Sequence, residues 1–175
     1  MKFRMFLQTR SDMKILGIDP GYDRLGIAII EKLTKGKEAL LYSTCLQTSA
    51  KQNIYERFGK IGNEVAVVIK EFRPDAMALE TLFITKNQKT AMRVAEARGI
   101  ILYQAIQAGI PIFEYSPMQI KMAVTSDGKS DKERIVKMVR MLVDMGKKTA
   151  LDDEYDAIAV ALTHSASLST VFLPK

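Results

Sequence analysis

The sequence predicts a single α/β domain built on a mixed sheet, and three observations carry that expectation. The stretch ILGIDPGYDRLGIAII, Ile15 to Ile30, reads as a buried strand, a tight turn and a second strand, because apolar runs flank Pro20, Gly21 and Asp23. Apolar residues over 54–72 then recur at helical spacing. The short run DAMALE, Asp75 to Glu80, follows as a buried strand. A strand reached through a helical crossover runs parallel to its neighbour, so an antiparallel start and a parallel continuation share one sheet.

The chain has 175 residues, enough for one domain whose core needs no disulfide or structural metal. It is 47% hydrophobic and 26% charged, and no apolar run approaches the roughly 18 residues required to span a bilayer. No membrane partner is expected. Cys45 is the only cysteine, so an internal disulfide is impossible, and without an evident signal sequence a reducing cytoplasm is the expected setting. Alone, that thiol reads as a small buried hydrophobe. The formal charge of +6 is compatible with a polyanionic partner. Residues 1–12, MKFRMFLQTRSD, lack the apolar core of a signal peptide and precede Met13. They read as a poorly ordered extension, with 13–175 as the domain.

In chain order, the opening hairpin carries Asp19 where its first strand runs out. Lys35, Gly36 and Lys37 mark a turn, and the run after them, rich in Leu, Tyr and Thr, suits a third strand ending near Gln47. Ile54, Phe58, Ile61, Val65, Val68 and Phe72 share one helical face, with Asn53 as cap and Pro74 as stop. The strand that follows ends on Glu80. A second helix is predicted over about 88–108, burying Ala91, Val94, Ala95, Ile101, Leu102, Ala105 and Ile106, with Gly109 at its boundary. Gly99 inside it costs roughly 1 kcal/mol against Ala. Close packing on the sheet or another helix is the plainer reason for it, and a subunit interface the sharper one.

The segment IPIFEYS reads as a short strand ended by Ser116 and Pro117, with helix-like sequence over 118–124. The loop TSDGKSDK breaks that pattern. Asp131 or Ser130 can cap a further helix bearing Ile135, Met138, Val139 and Leu142. The last element, LDDEYDAIAVALTHSASL, reads as a helix whose acidic start suits the helix dipole.

Open α/β sheets place functional groups beyond the carboxyl ends of their strands, which is where Asp19 and Glu80 fall. The last helix adds Asp152, Asp153 and Asp156 at its start. Both Asp153 and Asp152 can share a helical face with Asp156, at i to i+3 and i to i+4, so spacing does not choose between them. Singly, each acid has a plainer reading: a turn residue for Asp19, a strand-end surface acid for Glu80, dipole partners for Asp152 and Asp153. Together, converging carboxylates are unfavourable unless cations neutralise them, and all-oxygen ligation suits Mg²⁺ or Mn²⁺. A paired-metal site of this kind can hold a scissile phosphate, activate water and stabilise the leaving oxygen.

The segments ILGIDPG with LGIAII, ALETLFITKN, ARGIIL, IPIFEYSPMQIKMAV and DEYDAIAVALTH occur in an order and spacing that resemble the RuvC family of Holliday-junction resolvases. The resemblance covers about 13–164. It implies an RNase H-like fold, a five-stranded mixed sheet of three antiparallel strands and then two parallel ones, flanked by helices. It also implies a homodimer with two active sites that nicks two like-polarity strands of a four-way DNA junction symmetrically. Mg²⁺ is the implied cofactor, two ions per site with Mn²⁺ as a substitute, and the products carry 5′-phosphate and 3′-hydroxyl ends. A branch-migration motor complex is an implied further partner.

Position by position, the family's acids fall on Asp19, Glu80, Asp153 and Asp156, which decides against Asp152. The aromatic that wedges against bases falls on Phe83, and the two basic residues fall on Lys121 and Lys132. An exposed aromatic can stack on unpaired bases while lysines contact phosphates. Without the resemblance, Phe83 reads equally as core, and the lysines as solvated charges. The family varies at the third acid, where some members carry His, and the loop before Lys132 departs from the family pattern. His164, the only histidine, reads as a helix residue and not a ligand. The alternatives are another RNase H-like nuclease acting on RNA or hybrids and a non-catalytic junction-binding protein. An ATPase of the actin and sugar-kinase type needs a second domain for which 175 residues leave no room.

Overall fold

Alternation of side chains along the strands sorts the molecule into two layers about one sheet. In the computed structural model, which describes residues 13–33, 38–81, 88–146 and 150–170, β1 (Met13–Asp19) sends Leu16 and Ile18 to one face and Ile15 to the other. Strand β2 (Arg24–Lys32) pairs antiparallel with β1, placing Gly26 opposite Asp19. Strand β3 (Glu38–Gln47) continues antiparallel, while β4 (Ala76–Glu80) lies parallel to β1 with Leu79 beside Ile18. Strand β5 (Ile112–Tyr115) is parallel to β4. The expected mixed sheet gains a sixth strand, β6 (Val143–Asp144), parallel to β3, and the order is β5-β4-β1-β2-β3-β6. Two residues are too few to carry a period, which is why the sequence predicts five strands. The turn expected at 35–37 and the extension 1–12 lie outside the described residues.

Helix α1 (Ile54–Phe72) starts where Asn53 Oδ1 accepts the Tyr55 N–H at 2.9 Å and stops at Arg73, left-handed with φ 49°, just before Pro74. With α2 (Gln88–Gln107) it covers Leu16, Ile18, Ile27, Ile29, Met77 and Leu79. Helix α2 buries Ala97, Ile101 and Ala105, whereas Ala95 and Ile106 are exposed, contrary to the predicted face. A Cβ on Gly99 would meet nothing within 4 Å, so close packing does not explain that glycine.

The opposite face holds α3 (Pro117–Thr125), α4 (Lys132–Leu142) and α5 (Asp152–Thr170). A capping box opens α3: Gln119 N–H donates to Ser116 Oγ at 3.2 Å and Ser116 N–H to Gln119 Oε1 at 2.8 Å. Asp131, one of the two residues that can cap α4, accepts the Arg134 N–H at 2.8 Å. Among the described residues no helix is long and apolar enough to cross a membrane.

Helix α5 lies with its backbone directly on the sheet. A Cβ on Gly17 would stand 2.1 Å from the Ala157 carbonyl oxygen and 2.8 Å from Ala161 Cβ, and one on Gly26 would stand 2.1 Å from the Asp153 carbonyl oxygen. These two glycines and the alanines facing them therefore set how close α5 comes to β1 and β2. Overpacking this contact by one methyl, in Gly17→Ala, is expected to cost about 3 kcal/mol in urea denaturation. Gly59→Ala on α1, where an added Cβ meets nothing, is expected to gain about 0.5–1 kcal/mol. Equal effects of the two substitutions would contradict this account of the α5 contact.

Candidate active site

Three elements bring the four acids to one end of the sheet. Side chains two apart on a strand share a face, so Asp19 lies with Ile15 and Gly17, and Glu80 with Ala78, on the side covered by α5. The β1–β4 register sets those two strand ends side by side. On α5, Asp153 rests against Gly26, the partner of Asp19 across the hairpin, and Asp156 lies one turn further on. Asp152 is turned outward to solvent, so it is Asp153 that the helix presents to the sheet.

The turn that carries Asp19 is held from behind. Buried Arg57 on α1 donates from Nε to Thr48 Oγ1 at 2.8 Å and from Nη2 to the Tyr22 carbonyl at 3.1 Å. It also pairs with Asp23 and lies 4.7 Å over the Tyr22 ring. Thr48 closes the arrangement by donating to the Tyr22 carbonyl at 2.6 Å. Within the turn a Cβ on Gly21 would stand 2.0 Å from the Arg24 carbonyl oxygen, so glycine is required for the turn to close.

Burial, followed by the charges of Asp156, Glu80 and Asp153, pushes the Asp19 carboxyl up to about 7. Burial and then Asp156 raise Glu80, an effect opposed by Lys121. Burial also raises Asp156, against the attraction of Lys132. Asp153 differs: burial favours its neutral form, but hydrogen bonds from Arg24 outweigh that and hold it low.

Two cations already sit among these acids. Arg24, at the start of β2, donates from Nε to Asp153 Oδ2 at 2.9 Å and pairs with the same oxygen through Nη2. Lys132 Nζ lies 3.2 Å from Asp156 Oδ2 and 3.4 Å from Asp152 Oδ2. Among the described residues no three ligand-type side chains are gathered as they stand into a group that could hold an ion. The donor set nevertheless fits a hard divalent cation: all donors are carboxylate oxygens, their charges repel, and one of them, Asp156, already draws the Lys132 ammonium group.

A cavity of about 170 Å³ opens beside Glu80 and Asp156 and is walled by Lys121, Pro117 and Ile120. Lys121 thus borders the acids on the α3 side, and Lys132 on the α4 side. Phe83 lies outside the described residues. His164 is fully buried, 2.8 Å from the Tyr115 hydroxyl through Nδ1 and stacked on Phe113, remote from any ligand role. Arg24 carries no signal in the sequence, because a basic residue beside a hairpin turn has no period or motif to mark it.

The raised Asp19 has a definite consequence for the metal-free protein. An unfolded Asp ionises near 3.9, so above about 7 the folded state holds an unfavourable charge that protonation relieves as pH falls toward 4. In chelator, Asp19→Asn is expected to be more stable than the parent at pH 8 by up to about 4 kcal/mol. That difference should shrink toward zero near pH 4 in urea titrations. A difference independent of pH would contradict the burial of a charged Asp19.

Known proteins resemble this chain over most of its length. Residues 15–164 match the family model described as crossover junction endodeoxyribonuclease RuvC. The RuvC of Thermosipho melanesiensis is 44% identical, over 85% of this chain and 94% of that protein. The RuvC of Moorella thermoacetica is 39% identical, over 88% of this chain and 92% of its own length. Among solved structures, T. thermophilus RuvC in complex with Holliday junction substrate superposes with a TM-score of 0.84 at 35% identity, covering 91% of this chain and 96% of that one. The yeast mitochondrial Holliday junction resolvase Ydc2, 14% identical with a TM-score of 0.67, shares the fold. On the match along nearly its whole described length, the chain belongs to the RuvC family of crossover junction endodeoxyribonucleases.

Proposed function

We propose that this chain is a structure-selective endonuclease that resolves Holliday junctions, using divalent metal to nick two like-polarity strands symmetrically during recombination and repair. The observation that carries the proposal is the meeting of Asp19, Glu80, Asp153 and Asp156 at one sheet end, with Asp19 pushed up to about 7 by burial and its neighbours. Those four acids hold the metal, Mg²⁺ with Mn²⁺ as substitute, two ions per site. When bound, the ions supply Lewis acidity toward the scissile phosphate and toward water.

The chain's own residues do the rest. Release of Asp153 by Arg24 and of Asp156 by Lys132 frees both carboxylates. It leaves two cations at the rim where phosphates arrive. Lys121, beside Glu80, is a third contact for the backbone of the strand being cut. Phe83 stacks on an unpaired base at the opened junction.

Symmetric nicking calls for two sites related by a two-fold axis, which a homodimer supplies. Helix α2 supports that reading: Met92, Tyr103 and Ile106 are exposed on it at spacings that share a face with Gly99, whose open side admits close approach. The domain spans 13–175, with 1–12 as an extension. The setting is cytoplasmic, and a branch-migration motor is a further partner.

The test is cleavage of a synthetic four-way junction, a linear duplex and an RNA–DNA hybrid in Mg²⁺. Symmetric nicks in the junction alone are expected. Asp19→Asn should still bind the junction with nicking reduced on the order of 10³-fold or more, the scale on which groups stabilising transition-state charge act. Equal cutting of the hybrid, or unimpaired cutting by Asp19→Asn, would overturn the proposal.

A further inference from the structure

Helix α3 presents two methionines to solvent on one face. Met118 and Met122, four residues apart, are 66% and 50% exposed, with Lys121 between them. The loop after α3 folds back against them. A Cβ on Gly128 would lie 3.1 Å from Met118 Cγ and 3.5 Å from both Cγ and Sδ of Met122, so the thioether chains run along the bare glycine backbone. Pro117, Met118, Lys121 and Gly128 together line a groove of about 340 Å³.

The loop that carries Gly128 is held by its own hydrogen bonds. Thr125 and Ser130 are buried, and their hydroxyls are 2.6 Å apart. Thr125 also donates to the Asp127 carbonyl at 3.0 Å, and Arg134 braces Asp127 at 3.2 Å. Ser126 holds the left-handed conformation, φ 59°, that turns the chain. Such a loop does not have to order itself when something enters the groove.

The groove adjoins the acidic site. Its lining shares Pro117 and Lys121 with the cavity that contains Glu80 and Asp156. A strand with one phosphate at the acids therefore meets Lys121 next and then the methionines. Cation followed by soft apolar ledge matches the alternation of phosphate with sugar and base along a nucleic acid strand. Thioethers are polarizable and adapt to flat surfaces of varied shape, and methionine is among the side chains that lie against or between bases.

We propose that this groove receives one nucleotide of the bound DNA strand, its base or deoxyribose lying on Met118 and Met122 while Lys121 contacts the adjoining phosphate. The proposal rests on the reading of the chain as a junction endonuclease, and the experiment separates the two. Binding of the intact protein to a four-way junction is first measured by fluorescence anisotropy in chelator. Methionine oxidation by dilute peroxide is then mapped by mass spectrometry with and without saturating junction.

Junction binding with sulfoxide formation at Met118 and Met122 slowed at least about threefold, and Met141 at the far end of α4 unchanged, is the expected result. In the same binding assay the double substitution Met118→Ala with Met122→Ala should weaken the junction about tenfold, the scale of losing one base contact. Binding with unchanged oxidation of both methionines overturns the groove while leaving the enzyme reading intact. Absence of junction binding overturns both. Protection that grows with protein concentration in the absence of DNA assigns the groove to a second copy of the chain and overturns the proposal.

Discussion

The structure depends on the direct seating of α5 on the sheet. Gly17 and Gly26 remove the two Cβ atoms that would otherwise strike the carbonyl oxygens of Ala157 and Asp153. An ordinary helix–sheet separation would lift the first turn of α5 away from the end of β1. Seated as it is, the helix brings Asp153 and Asp156 against a strand end that already carries Asp19 and stands beside Glu80. The packing of two glycines thus becomes an electrostatic arrangement, and stability and chemistry share one contact.

That arrangement is costly without cations, and the chain supplies two of its own. Arg24 and Lys132 are each about half exposed, at 47% and 51%, so water screens their ion pairs with Asp153 and Asp156 and leaves them weak. Contacts that weak can be exchanged for a divalent ion, whereas the burial of Asp19 cannot be relieved by any described side chain's cation at bonding distance. The site is therefore held in a state of residual repulsion by the rest of the fold: α5 by its glycines, and the Asp19 turn by Arg57, Thr48 and the ring of Tyr22. Burial first and then the neighbouring acids raise Asp19, and two of those acids, Asp153 and Asp156, also hold the resident cations.

Much of this was legible in the residues. The alternation through Ile15 to Ile30 and the helical spacing of Ile61, Val65 and Val68 lead directly to the hairpin and α1, and the crossover makes β4 parallel. The positions of Asp19 and Glu80 at strand ends follow from where the apolar runs stop. Other features have no periodic signal. Gly17 and Gly26 look like weak points in strands until the helix above them is known. Strand β6 is two residues long, and the outward face of α2 at Ala95 and Ile106 is indistinguishable by period from a buried one. The choice of Asp153 over Asp152 as the acid facing the sheet was open by spacing and is made in the structure by Gly26 and Arg24.

If the surplus of buried carboxylate charge is what makes this a cation site, then loading it must expel the proton that Asp19 carries. Titration calorimetry of Mg²⁺ into the metal-free protein, repeated in buffers of different ionisation enthalpy, counts that proton. With Asp19 at about 7, roughly half a proton per site should be released at pH 7, falling to nearly none at pH 8.5 and absent in Asp19→Asn. Binding at pH 7 with no proton released, or with the same release from Asp19→Asn, would contradict the account.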